Sequence, residues 1–267
     1  MRPLPDPQHM PKGSYMATVA KQGYLVVGVD QNTAGLASYD PAHKQIVGFE
    51  VDIARWVAQA IFGPGMRPKQ LKLLAIVTAQ RSSFLTSGKV DLVADAYTVN
   101  CEHKKTVRFS QVYLLAHQRL LVRSDSTAKG LKDLADRRVC ATATGTAMAT
   151  LNQPEYHAVV PVPVVARTDC LVALETGDVE GILTDDTFLY GFQKDDPRTK
   201  ILSPAYSNEP YGLATNLGHR EFVQFVNGVL KSHCKSGELQ RSYEHWFHSP
   251  MAPVSCEGAV PSPSAAP

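Results

Sequence analysis

No stretch of this sequence holds the roughly 20 consecutive apolar residues that a membrane-spanning helix needs. Nor does one sign of charge dominate. Lys and Arg number 27 against 25 Asp and Glu, a formal net charge of +2, so a polybasic nucleic-acid surface is not expected. The phosphate loop G-x-x-x-x-G-K-[ST], the dinucleotide fingerprint G-x-G-x-x-G, the zinc motif H-E-x-x-H and the nucleophile elbow G-x-S-x-G are all missing. Gly145-Thr146-Ala147 imitates an elbow but lacks its flanking glycines. His245 and His248 stand three apart with no third ligand in reach of the pattern, which favours a surface or capping role over a metal site. No metal and no cofactor are therefore expected. There is no C-x-x-C pair among Cys101, Cys140, Cys170, Cys234 and Cys256, which disfavours a zinc ribbon or a thioredoxin site. Composition alone leaves buried free thiols and a disulfide equally open. No apolar segment of signal-peptide type precedes the first strand. That leaves a cytoplasmic protein or an exported one whose signal has been removed.

What is present is a core. A chain of 267 residues with 44% hydrophobic content is long enough for one large domain or two ordinary ones. The ends lie outside it. Residues 1–14 carry Pro3, Pro5, Pro7 and Pro11, and the stretch from Ser249 to Pro267 is built of Pro, Ala, Ser and Gly; both read as extended or disordered.

Between them strands and helices alternate. Tyr24 to Val29 is a continuous apolar run closed by the polar turn Asp30 to Thr33, the pattern of a buried parallel strand. Ala54, Val57, Ala58 and Ile61 mark one helical face, stopped by Gly63-Pro64-Gly65. Strands follow at Leu71 to Val77 and Val90 to Ala94, with a short helix at Phe84 and Leu85 between them. The alternation restarts with strands at Gln118 to Val122 and Arg138 to Thr142. Val159 to Val165 holds Pro161 and Pro163, so it belongs at an edge or a bulge. Gly181 to Thr184 is a strand that ends at the acid pair Asp185-Asp186. Phe222, Phe225, Val226, Val229 and Leu230 give a helical stripe, and a last helix carries Leu239, Tyr243 and Trp246. The expectation is two α/β lobes, with the final helices returning to the first.

Several segments, in order over about nine-tenths of the chain, carry a resemblance. They are Val47-Gly48-Phe49-Glu50-Val51-Asp52-Ile53-Ala54; Ser87-Gly88-Lys89-Val90-Asp91-Leu92; Thr98 to Lys105 with Val107 to Ser110; Glu175 to Gly181 with Thr184-Asp185-Asp186; and Glu209-Pro210-Tyr211-Gly212. Together they resemble the extracytoplasmic polar-amino-acid-binding proteins of ABC importers, solute-binding protein family 3. The nearest type is the actinobacterial glutamate/glutamine-binding lipoprotein.

The resemblance implies an α/β fold of two Rossmann-like lobes joined by two hinge strands, periplasmic-binding-protein-like type II, with the ligand in the interlobe cleft. On this basis residues 17–114 plus 210–248 form lobe 1 and 117–207 lobe 2, between a disordered arm 1–16 and a disordered tail 249–267. The hinges fall near Tyr113–His117 and Asn208–Gly212. It also implies a Cys140–Cys170 disulfide, by likeness to that subgroup's second-lobe cysteine pair, and hence an oxidising, extracytoplasmic compartment. The Pro-rich arm then stands as the tether behind a lipid-modified cysteine that this chain does not contain. The pairing of Cys101, Cys234 and Cys256 stays open.

A zwitterionic ligand brings two charges that must each meet a partner on burial. The resemblance assigns Asp185 to the α-ammonium, with Asp186 as the helix cap, and adds the backbone carbonyl of Ala96. Thr146 and Thr98 offer amides and hydroxyls to the α-carboxylate. Arg81 stands where acid-preferring members have an Arg, and its planar fork suits a carboxylate. The family's carboxylate-clamping Arg falls at His103. Either His103 still donates to the carboxylate, or another cation such as Arg81 takes over. Gly35-Leu36 replaces a common Pro-aromatic pair, which puts the aromatic wall of the pocket in doubt and leaves Tyr97 or Tyr39 as substitutes.

The function implied is capture of a polar L-amino acid, glutamate or aspartate ahead of glutamine or asparagine, and its delivery to the membrane subunits of an ABC permease by a monomer. Docking of the liganded protein on a membrane sensor is the alternative. An arogenate- or prephenate-dehydratase-like enzyme ranks below both, because it needs a general acid in the cleft and only His103 or Glu102 offers one.

Overall fold

A computed structural model describes residues 4–7, 9–247 and 254–256. The chain divides into two compact units. One takes the described residues up to Ile76, Gln80–Leu115 and those from Pro210 onward; the other takes Val77–Ala79 and Ala116–Glu209.

The first unit opens with helix α1 (Tyr15–Gln22), where the Ser14 side chain accepts from the Ala17 N–H. This helix begins inside the segment expected to be a disordered arm. Met16 and Val19 are its buried residues, and the Tyr15 hydroxyl donates to Asp91 at 2.5 Å. Eight residues with two buried side chains leave too short a pattern to read in advance. Strand β1 (Leu25–Val29) follows, then a hairpin sheet of β2 (Asn32–Thr33), β3 (Ala37–Asp40) and β4 (Gln45–Val47).

Helix α2 (Phe49–Phe62) buries Phe49, Val51, Ile53, Ala54, Val57, Ala58 and Ile61 on the face its spacing predicts, and also Glu50. Gly48 before it is obligatory. Its φ is 145°, and a Cβ there would lie 2.2 Å from the Leu36 carbonyl oxygen. Strand β5 (Leu71–Ala75), helix α3 (Arg81–Thr86) and β6 (Leu92–Val93) complete this run. Strand β1 pairs in parallel with β5 and β6.

Strand β7 (Val107–Arg123) is much longer than the Gln118–Val122 run suggested, and the chain leaves the first unit within it. In the second unit β8 (Arg138–Thr142), helix α4 (Thr146–Leu151), β9 (Val160–Val164), helix α5 (Thr168–Glu175), β10 (Gly181–Asp185), helix α6 (Asp186–Asp195) and β11 (Thr199–Ile201) follow in turn. The strand order is β7-β10-β8-β9, with β10, β8 and β9 parallel, while β11 pairs with β7. β9 is the edge, where Pro161 and Pro163 need not donate to a neighbour. Buried Cys140 on β8 and Cys170 on α5 form a disulfide between sheet and helix.

Strand β12 (Ser207–Asn216) carries the chain back to the first unit, where it meets β6 at Ala214↔Val93. The helices α7 (Arg220–Lys235) and α8 (Glu238–Trp246) pack on α2. Asp52 of α2 accepts from the Trp246 indole and the Ser242 hydroxyl, both at 2.8 Å, which gives the second acid of the Glu50–Asp52 segment a structural job.

The expected disordered tail is corrected in part. Leu114 bridges Val254, the Ser255 N–H donates to the Tyr113 carbonyl at 2.9 Å, and Cys256 is joined to Cys234. A backbone pairing and a covalent tie outweigh the local bias of a Pro/Ser/Ala stretch. Cys101 is a free, exposed thiol. The rest of the expected tail, His248 and residues 1–3 and 8 lie outside the described residues.

Candidate functional site

Four of the residues singled out in the sequence, Arg81, Ala96, Thr98 and His103, form one connected set in the first unit. Segment 97–99 is pinned to the start of the unit's share of β12. Gly212 N–H donates to Tyr97 O at 3.1 Å, Val99 N–H donates to Pro210 O at 2.8 Å, and Thr98 bridges Tyr211. The His103 ring approaches the Thr98 carbonyl with Nδ1 at 2.7 Å. A carbonyl only accepts, so Nδ1 carries the proton in this contact.

Arg81 is buried and its Nε donates to Asp95 at 2.7 Å, while its guanidinium lies over the Tyr97 ring, 5.0 Å from the centroid. Ala96, beside Asp95, has φ +42° and donates its N–H to Glu50 Oε1 at 2.6 Å. Burial, and then the charge of Asp95, push the Glu50 carboxyl up to about 7, against the pull of the Tyr113 and Ala96 hydrogen bonds and of Arg81.

Tyr97 is buried, with its ring edge-on to His103 and Phe109 at 4.7 and 4.9 Å. Tyr39 is 50% exposed on β3. Leu36 is core, and Gly35, at φ +89°, leaves the room that the Phe247 ring fills: a Cβ would lie 2.8 Å from it. Gly35 and Leu36 thus each have a packing reason within this unit.

In the second unit Thr146 follows β8 and Asp185 ends β10. These strands are parallel neighbours, so both residues stand at the same carboxyl edge of the sheet, where α/β folds place their ligand-binding loops. Asp185 occupies the N-cap position of α6 without a capping bond from its side chain. Asp186 is not the cap either. It is the first helical residue, 1% exposed, and accepts from the His117 N–H at 3.2 Å, with His117 Nδ1 and Arg119 Nε at 3.4 and 3.7 Å from Oδ2.

The Thr146 hydroxyl donates to Glu209 Oε2 and accepts from Gln118 Nε2, each at 2.9 Å. Gln118 also donates to Glu209 at 2.8 Å and accepts from Thr150 at 2.7 Å, and the Ser207 hydroxyl reaches Glu209 at 2.5 Å. This buried network holds the start of α4 from below. A hydroxyl so engaged makes the Thr146 backbone N–H the group to consider for a ligand.

Reading the sequence missed Asp95, the support given by Glu50, and the Gln118–Glu209 pair. Their partners lie 14 to 91 positions away along the chain, beyond any local pattern. The only hint was that Glu50 and Glu209 each fell in a segment already noticed.

Comparison with known proteins gives concordant findings. Residues 25–249 match the family "Bacterial extracellular solute-binding proteins, family 3". The chain is 32% identical over 199 residues to the glutamine-binding protein of Geobacillus stearothermophilus, covering 74% of each. It is 25% identical to the glutamate/aspartate import solute-binding protein of Escherichia coli, over 90% of this chain and 82% of that one. Among solved structures, a mutant of ArgBP from T. maritima superposes with a TM-score of 0.80 at 27% identity, over 88% of this chain and 99% of that chain. An ancestral arginine-binding protein bound to glutamine gives a TM-score of 0.77 at 26% identity, over 85% of this chain and 99% of that chain.

Proposed function

The chain belongs to the bacterial extracellular solute-binding proteins, family 3, and from that premise we propose that it binds a polar L-amino acid and hands it to an ABC permease. It is a binding protein and not an enzyme. The proposed ligand is glutamate or aspartate, with glutamine and asparagine as the near competitors. The similar proteins named for glutamine and for glutamate/aspartate support that class. The fold alone does not select the side chain, since proteins named for arginine share it and one of them holds glutamine.

The observation that carries the acidic preference is Arg81. Its Nε side is matched by Asp95, which orients the planar group, and its terminal pair of N–H donors is an edge that can take a carboxylate end-on. The proposed ligand groups are Arg81 for the side-chain acid, His103 and the N–H groups of Thr98 and Thr146 for the α-carboxylate, and Asp185 with the Ala96 carbonyl for the α-ammonium. Each charge of the ligand thereby meets an opposite charge or an aimed dipole, which its burial requires. The proposal includes a lipid-anchored, monomeric protein outside the cytoplasmic membrane.

Isothermal titration of dialysed protein with the common L-amino acids tests this. Glutamate or aspartate is expected to bind at about micromolar level or tighter, and Arg81→Ala is expected to abolish the heat. Silence from every amino acid would sink the proposal. Binding of glutamine alone, unaffected by Arg81→Ala, would overturn the acidic preference.

A further inference from the structure

The first turn of α2 holds a carboxylate that the proposed ligand groups do not include. Glu50 is fully buried; Oε1 accepts from the Ala96 N–H and from the Tyr113 hydroxyl, and Oε2 has no partner among the described residues. Ala96 is one of three non-glycine residues at positive φ among those described, and the other two, Lys44 and Asp136, are exposed. An L residue resists that backbone region, so surrounding contacts must hold it there. Beyond Ala96 the chain is already fastened, through Tyr97 and Val99, to β12. Before it, Asp95 is fastened to Arg81. The turn itself hangs on Glu50.

We infer that Glu50 is the positioning residue of the ligand segment, holding Ala96 in its left-handed turn so that the Ala96 carbonyl and Thr98 are presented together. The inference rests on the reading of Ala96 and Thr98 as ligand groups. Asp95, Arg81 and Tyr113 are the titratable groups that face Glu50, and burial with the charge of Asp95 favours a proton on it. A proton on Oε2 leaves both bonds to Oε1 in place. Glutamine reproduces that form, with an amide nitrogen where Oε2 stands. Alanine removes the acceptor, and aspartate withdraws it by one methylene.

The test is titration with L-glutamate, at about pH 6, of wild type, Glu50→Gln and Glu50→Ala, together with hydrogen exchange of the Ala96 amide. Glu50→Gln is expected to keep the affinity within about threefold. Glu50→Ala is expected to weaken it by about 30-fold or more and to strip protection from the Ala96 amide, while amides of β10 in the second unit keep theirs. A folded Glu50→Ala that binds like wild type overturns the inference. So does a folded Glu50→Gln that binds as weakly as the alanine variant. If Glu50→Ala fails to fold, Glu50→Asp takes its place under the same criteria. If wild type binds no amino acid, the functional reading fails separately and the Ala96 exchange decides: equal protection in wild type and Glu50→Ala overturns the positioning role, and its selective loss supports it.

Discussion

His103 and Thr98 are joined ring to backbone, Nδ1 to carbonyl oxygen at 2.7 Å, and this contact uses the Nδ1–H of His103 within the protein. In the proposed site the His103 ring meets the α-carboxylate of the ligand, so His103→Ala is expected to weaken glutamate binding by about tenfold or more. Isothermal titration of the two proteins checks it. Equal affinities would remove His103 from the site.

Arg81 and Asp95 are a buried ion pair, 7% and 2% exposed in their side chains. Removing one charge strands the other, at a cost of about 3–5 kcal/mol. Arg81→Ala is thus expected to lose that much stability in urea unfolding as well as its ligand, and Asp95→Asn to lose less, since the amide still accepts from Arg81. Arg81→Lys keeps the charge and loses the fork, so stability is expected to recover more than affinity does.

Glu50 makes a pH-dependent contribution of defined sign. Its carboxyl is raised from 4.5 to about 7 in the folded protein, so the folded state binds the proton more tightly than the unfolded chain. The stabilisation is fully present below the unfolded value and is lost as pH rises toward and through 7. In that window the slope approaches ~1.4 kcal/mol per pH unit. Glu50→Gln is expected to lack this slope, so its stability relative to wild type should rise from pH 4.5 to 7 in paired urea melts. Parallel pH profiles would contradict the assignment.

The Cys140–Cys170 bridge spans 30 positions and ties β8 to α5. In the chain-entropy picture a loop of that length is worth roughly 3–4 kcal/mol. The double variant Cys140→Ser/Cys170→Ser is expected to lose about that amount in denaturant unfolding. A loss below about 1 kcal/mol would mean that the unfolded chain is little constrained by the bridge.

Glu209 accepts from Gln118, Thr146 and Ser207. Glu209→Gln sets an amide donor against one or more of those donors, and about 1–3 kcal/mol of stability is expected to be lost. Thermal melting of Glu209→Gln beside Thr146→Val separates the network from the single hydroxyl. An unchanged melting temperature in both would show that the network adds nothing to stability.

Much of the fold was legible because its signals are local. The run from Tyr24 to Val29 needs neighbours on both sides, and it became β1 between β5 and β6. The spacing Ala54, Val57, Ala58, Ile61 defines a face by helix geometry alone, and all four are buried. Pro161 and Pro163 forced β9 to an edge. Helix α1 and the hold on residues 254–256 escaped because their stabilising contacts, Tyr15 with Asp91 and Cys256 with Cys234, are distant in sequence.

The division for the site follows the same physics. The sequence by itself determined which chemical groups exist and which segments carry them: the Arg at 81, the acid pair at 185 and 186, the threonines at 98 and 146, and the histidine at 103. Only the tertiary structure decided what those groups have left to give. It set Asp95 against the Nε of Arg81 and turned the Nδ1 of His103 to a carbonyl. It gave the Thr146 hydroxyl to Glu209 and hung the Ala96 turn on Glu50. Hydrogen-bonding capacity is finite and directional, and which part of it is consumed depends on neighbours that meet only when the chain has folded.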